Sequence, residues 1–486
     1  MAALCVAMPA LAQAQTAALP VAVPDCTADV DLTESDGLKV AVAYRCRSSS
    51  ALIFHAVGEK SLRHVLAFTD ATGKALQPSG TDWWVDSAGG IVEAHYRLDL
   101  AGYAAEVDRP TLAIARGGGV LCLLESWLFE PRGFKTLPVI DIRMHAADGL
   151  SFTSGLPKVG DAWRLSDTLV RFAGYSALGR FSLSELAVPA PGSLRPGQAR
   201  LDGVLRVALL DGVAPEGRTD LLDWVRLTAQ AVSNYWRGFT ARQLMLGLVP
   251  MQGGPPVGFG RTVPGGGATV MVQVNSQVAK RRLFDQWVLV HELIHTGMPF
   301  IDGRGTWLME GAATYVEPII RARAGWKTEA EVWTEWVENM PRGAPGFPMG
   351  LANISGPPYV YWTGATVMLL ADIGMRRATN GAKGLEDCLG GVLWSGMDAA
   401  RRVSVDEFVR ACDRASATDV MSGIVQQHFT RQQPVDLAAL WKELGVALVG
   451  GKIVLDDKAP AARWRKMIVP GAADHPATPV KLPWQS

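Results

Sequence analysis

From about residue 25 to 185 the chain runs in short stretches of alternating apolar and polar positions, broken by Gly, Asp-Gly and Pro. Alternation of period two is the mark of half-buried strands, and turn signals at this spacing predict an antiparallel sandwich or barrel-like region. The clearest run is Gly90 to Leu98; a weaker one is Thr136 to Arg143, where Pro138 argues for an edge strand or a late strand start. The Pro/Gly-rich segment Val188 to Gly197 reads as a linker. Beyond it the pattern predicts a strand (Val204 to Leu210), an amphipathic helix opening near Thr219-Asp220, an apolar run (Leu244 to Val249), a Gly/Pro-rich stretch (Gly253 to Gly267) and a strand over Thr269 to Val274. After residue 305 the chain reads as mostly helical, with Ser404-Val405-Asp406-Glu407 as a capping box and a Pro-containing tail after Leu455 expected to be extended or poorly ordered.

With 486 residues, two or three domains are expected. The 47 basic and 47 acidic residues balance, so nothing in the overall charge asks for nucleic acid or an anionic membrane as partner. Met1 to Gln15 reads as the remainder of a secretory signal peptide, with small residues near Ala12 and Ala14 suited to cleavage. No later apolar stretch is long and charge-free enough to span a bilayer, so the mature chain is expected to be exported to the periplasm or secreted.

That compartment suits disulfides. Cys26 and Cys46 lie symmetrically about the turn signal Ser35-Asp36-Gly37, which makes a bridge across a hairpin geometrically natural. Cys388 and Cys412 fall on two predicted helices and could form a second bridge, while Cys122 in an apolar run reads as a buried free thiol. None of these has the spacing of a zinc site.

The chemistry concentrates in Val290-His291-Glu292-Leu293-Ile294-His295 and Trp307-Leu308-Met309-Glu310-Gly311. Residues four apart on a helix project within about 40° of one another, so His291 and His295 can bind one ion. Glu292 is offset and can reach a water on that ion, whose pKa a bound zinc lowers to about 7. Only 8 of the 486 residues are His, so a chance pair at this spacing around a Glu is improbable. Gly311, Ala312 and Ala313 leave a thin face that would let the second helix approach the first. Thr314, one turn beyond Glu310, could orient a ligand or be an ordinary helix-surface threonine. His55, His64, His95 and His145 are scattered and read as surface or hydrogen-bonded histidines.

An HExxH helix followed by a W-x-x-E-G helix resembles the gluzincin metallopeptidases, and the resemblance implies His291, His295 and Glu310 as ligands of one Zn2+. The closer likeness is to the glycyl aminopeptidase family, whose zinc helices are followed by a tyrosine, a glycine three residues later, and a helix ending in Asp and Arg. Here these are Tyr361, Gly364, Asp372 and Arg376. By that resemblance Tyr361 would donate a hydrogen bond to the oxyanion of the tetrahedral intermediate, with Tyr359 as local competitor. The likeness covers roughly residues 200 to 450.

The chain also departs from that family. The segment between His295 and Glu310 is shorter than in aminopeptidase N relatives, and the usual lysine before the glycine is Thr363. Related aminopeptidases place a Gly-Gly-x-Glu segment upstream, whose carboxylate grips the substrate's amino group. The corresponding stretch is expected at Gly265 to Thr269, making Gly266, Gly267 and Ala268 the candidate substrate-binding residues. No Asp or Glu occurs between Asp223 and Asp285, so an acidic anchor would have to come from elsewhere, such as Asp302 or Glu317. Only a short tail follows residue 455, so the PDZ domain of many relatives is not expected.

The expected architecture is multidomain α+β: a β-rich N-terminal domain (16–190), a thermolysin-like catalytic domain (200–345), C-terminal helices (346–455) and a tail (456–486). The expected activity is zinc-dependent peptide-bond hydrolysis, as an aminopeptidase. An endopeptidase without a free-amine requirement and a non-catalytic peptide-binding protein are the alternatives. In either peptidase mode the substrate is a peptide or protein, which could pair with the Thr269–Val274 strand by β-augmentation.

Overall fold

The computed structural model describes residues 23–57, 59–191, 202–429 and 433–470. The expected leader, part of the Val188–Gly197 linker and residues 471–486 lie outside them. The N-terminal strands form a seven-stranded sheet with smaller four- and three-stranded sheets beside it. Its first hairpin joins Cys26–Glu34 to Leu38–Arg47, whose burial alternates as the sequence pattern requires. Asp36 and Gly37 take left-handed conformations at the turn, which sets Cys26 opposite Cys46, and the two are disulfide-bonded. Pro138 delays a strand rather than placing it at an edge. Ile140–Ala146 begins two residues later and pairs on both sides, with Cys26–Glu34 and with Ala162–Leu165. Aromatic residues of this region, among them Tyr96, Phe68 and Phe129, stack in a core of their own.

A five-stranded mixed sheet follows. Its strands are β1 (Ser182–Val188), β2 (Gly203–Leu209), β3 (Gln243–Met251), β4 (Val257–Val263) and β5 (Ala268–Asn275), in the order β1-β2-β3-β5-β4. β1, which falls inside the expected N-terminal region (16–190), pairs with β2 and so belongs to this second sheet. Helix α1 (Pro215–Trp236) opens earlier than Thr219-Asp220 because Pro215 occupies its first turn, where a missing N–H costs nothing. Within the Gly/Pro-rich stretch lies β4, antiparallel to β5 and at the sheet edge. β5, expected to accept a peptide, is buried between β3 and β4 and has no free edge.

Two helices cross beside this sheet: α2 (Val288–His295) and α3 (Thr306–Arg323). Gly311 of α3 does not face α2. It meets Gly364 at the start of α4 (Gly364–Ala378), where a Cβ on Gly311 would lie 2.3 Å from the Gly364 carbonyl carbon. Tyr315 of α3 donates to Asp372 of α4 at 2.9 Å, and Asp372 pairs with Arg376 at 2.8 Å. Arg376 in turn binds Glu386 of α5 (Leu385–Trp394) at 2.7 Å. The Asp–Arg pair of the family pattern is thus a buried brace between helices.

Cys388 of α5 is bonded to Cys412 of α6 (Val405–Ser416), a helix opened by the expected Ser404–Glu407 capping box. Cys122 is buried and free. The tail reading fails up to residue 470: Ala462–Ile468 is helical, because Trp464 and Ile468 find the helical core and the buried Arg465 pairs with Asp457 and Glu329. Among the described residues no helix is long and apolar enough to cross a membrane.

The Gly311–Gly364 contact is backbone against backbone, so an added methyl has nothing flexible to displace. Gly311→Ala is expected to destabilise the fold by about 1–3 kcal/mol, read as a lower urea midpoint. An unchanged midpoint would mean that the helices separate without cost.

Candidate metal centre and cleft

The site is assembled from three elements that meet at a cleft of about 550 Å³. α2 supplies His291 and His295 from successive turns, and apart from Glu292 its other residues are buried apolar side chains that fix the helix in the core. α3 supplies Glu310. The distances are 3.2 Å from His291 Nε2 to Glu310 Oε2, 3.2 Å between the two histidine Nε2 atoms, and 3.5 Å from His295 Nε2 to Glu310 Oε2. Ligand atoms held tetrahedrally at zinc bond lengths stand roughly 3.3 Å apart, so this donor set fits one zinc. Among the described residues it is the one group of three such side chains close enough to hold an ion.

The three groups hold one another's charge. Burial opposes the charge of Glu310, yet hydrogen bonds from His291 and His295 hold its carboxyl well below the usual carboxylate range. Burial likewise opposes a charged His295, but Glu310 outweighs it and raises the imidazole above its ordinary value.

Glu292 lies outside the ligand trio, on the cleft wall. Its Oε2 is 2.7 Å from the hydroxyl of Thr262, which also lies 2.8 Å from the Glu292 carbonyl oxygen. Thr262 stands on β4, and α2 can approach that strand because Gly260 has no side chain: a Cβ there would sit 2.7 Å from Glu292 Cγ. The sequence reading missed both residues. The signal was present in Gly258-Phe259-Gly260-Arg261-Thr262-Val263, where small residues alternate with larger ones, but the surrounding glycines and prolines masked a strand.

Tyr361 lines the cleft, its ring centroid 6.1 Å from that of His291; Tyr359 is not among the lining residues. Tyr361 sits in a wide π-type turn, Tyr359–Thr363, directly before Gly364. Such turns are frequent at functional sites. Burial, then Glu310 and Glu292, push its hydroxyl up to about 12, so near neutral pH it keeps its proton and can donate. Thr363, where the family has lysine, is buried and donates to the Gly343 carbonyl at 2.6 Å. Thr314 makes no hydrogen bond to Glu310 among the described residues.

Gly266, Gly267 and Ala268 do not line the cleft and are corrected as substrate contacts. A Cβ on Gly267 would lie 1.8 Å from the Gly155 carbonyl oxygen, and Gly266 faces Leu156 and Leu165. These glycines let the sheet and the N-terminal strands touch, while Ala268 is buried as the first residue of β5. The cleft wall is instead β4, with Gly258 to Thr262, together with Trp287, Met298, Pro299, Phe300 and Met309. Neither proposed acidic anchor reaches it: Asp302 pairs with Arg402 at the surface, and the buried Glu317 pairs with Arg321.

No protein-family model matches the sequence, nor does any curated protein. Among solved structures, the fold is similar to that of an aminopeptidase N family protein of Idiomarina loihiensis, with a TM-score of 0.62 at 14% identity, covering 87% of this chain and 78% of that one. A variant of the M1 zinc metallopeptidase of Deinococcus radiodurans matches at a TM-score of 0.48 and 14% identity over 85% of this chain and 94% of that one. Aminopeptidase A of Legionella pneumophila matches at 0.48 and 12% over 84% and 49%. The chain thus has a mixed α/β fold, β-rich at its N-terminal end and helical towards its C-terminal end, similar to the aminopeptidase N family protein.

Purified protein is expected to hold about one zinc by elemental analysis. His291→Ala or Glu310→Ala should lose it and Glu292→Gln should keep it. A metal-free native protein, or equal zinc in all variants, would contradict the assignment.

Proposed function

We propose that this chain is a zinc-dependent peptidase with a thermolysin-like catalytic unit, exported in its mature form. The observation that carries the reading is the trio of His291, His295 and Glu310 at tetrahedral ligand spacing, with Glu292 beside it and outside it. Bound zinc supplies a Lewis acid for the carbonyl and acidifies water. Glu292, oriented by Thr262, takes a proton from the attacking water and delivers it to the amide nitrogen as the C–N bond breaks. One water is consumed, one carboxyl group and one amine are released, and Glu292 returns to its starting state. Tyr361, protonated at working pH, donates to the oxyanion of the tetrahedral intermediate.

The substrate is an extended peptide. β4 is the sheet edge along the cleft, so its unpaired backbone groups can take a peptide as an added strand. The fold likeness favours aminopeptidase action. A specific observation favours the second reading, without a free-amine requirement: among the described residues lining the cleft, only Glu292 and Glu310 are acidic, and both have other work.

A mixed peptide library is expected to be cleaved by the zinc-loaded protein and spared after chelation. Glu292→Gln should abolish cleavage while keeping the metal, and Tyr361→Phe should lower kcat by roughly 10²–10³-fold, as for loss of one oxyanion donor. Cleavage that survives both chelation and Glu292→Gln would sink the proposal.

A further inference from the structure

Among the described residues lining the cleft, Arg261 is the one Lys or Arg. It stands on the face of β4 opposite Gly260 and Thr262, because successive residues of a strand alternate. Its Nη1 donates to the Thr111 carbonyl at 2.6 Å, and Thr111 also lines the cleft, so the guanidinium is held at the cleft wall and only partly buried. That bond and the neighbouring Tyr175 hydroxyl occupy part of its five N–H donors and leave the others for a ligand. Glu125 also feels its field, with burial pushing that carboxyl up to about 7 in spite of Arg171 and Arg261.

We propose that Arg261 receives a carboxylate of the substrate. The site then selects peptides carrying a carboxylate within reach of β4 and gains nothing from a free α-amine. This rests on the zinc-peptidase reading. A guanidinium pairs with a planar carboxylate through two parallel N–H···O bonds, strongest where water is partly excluded. The same charge repels an ammonium placed there. The carboxylate can come from an acidic side chain or from the C-terminus of a short peptide; the chemistry at Arg261 is the same.

The test uses zinc-loaded full-length protein and matched peptides differing in one group: Glu against Gln beside the scissile bond, free against amidated C-terminus, free against acetylated N-terminus. Carboxylate-bearing peptides are expected to be cleaved with kcat/KM roughly ten- to a hundredfold higher, the range of one charge-assisted hydrogen bond. Acetylation should not lower it. Whichever of the Gln or amide arms loses rate identifies the source of the carboxylate. Arg261→Gln should remove the preference chiefly through KM, Arg261→Lys should keep part of it, and Arg261→Glu should turn it towards free amines. Zinc content and thermal melting establish that each variant is folded; if Arg261→Gln is not, the wild-type comparisons and Arg261→Lys still decide. Equal cleavage of all matched pairs, a loss on acetylation, or an unchanged preference in Arg261→Gln overturns the inference while leaving the peptidase reading intact. Absence of chelator-sensitive cleavage of any peptide removes both.

Discussion

The crossing of two backbones at Gly311 and Gly364 holds the cleft in shape. Glu310 precedes the first glycine and Tyr361 lies three residues before the second, so the contact that brings the glycines together also brings the Glu310 carboxylate and a phenol to one side of α3. A Cβ on Gly364 would lie 2.2 Å from the Trp307 carbonyl oxygen, and no side chain of either helix can substitute for that proximity. The brace of Tyr315, Asp372, Arg376 and Glu386 then ties α3 to α4, and α4 to α5, further along. Breaking such a buried pair leaves an uncompensated charge and is costly, which makes the crossing hard to loosen.

A second close approach works on the other wall. Gly260 lets α2 settle against β4, and that approach brings the Thr262 hydroxyl to Glu292. The two histidines need only a helix, since their spacing alone puts them on one side. Glu292 needs more: on the same helix, it must be turned along the cleft by a partner on another element. The site is thus built by small residues at contacts and larger ones beside them, with the polar groups placed by how closely the backbones can come.

The contrast between the cleft's two charged sets bears on substrate choice. Glu292 and Glu310 line the cleft beside the two histidines, while Arg261, across the edge strand, is anchored to an N-terminal loop through Thr111. The β-rich N-terminal region therefore does more than cover the sheet. It supplies the carbonyl that holds Arg261, and through Gly155 it closes over Gly267, where a substrate contact was expected.

Local periodicity carried much of this in the sequence. The HExxH spacing puts two imidazoles on one helical face, the symmetry of Cys26 and Cys46 about a turn sets a cross-strand bridge, and Ser404 with Glu407 opens a helix; each needs only neighbours within a few turns of chain. Tertiary contacts decided the rest. Whether Gly266 or Gly260 meets the cleft depends on which strand is the sheet edge, and strand order is a long-range pairing that composition near the strand does not encode. Gly311 was visible as a thin face, but the partner that uses it lies some fifty residues on, in Gly364. Arg465 makes a helix of a segment that looked like a tail because its counter-charges, Asp457 and Glu329, come together only in the folded chain.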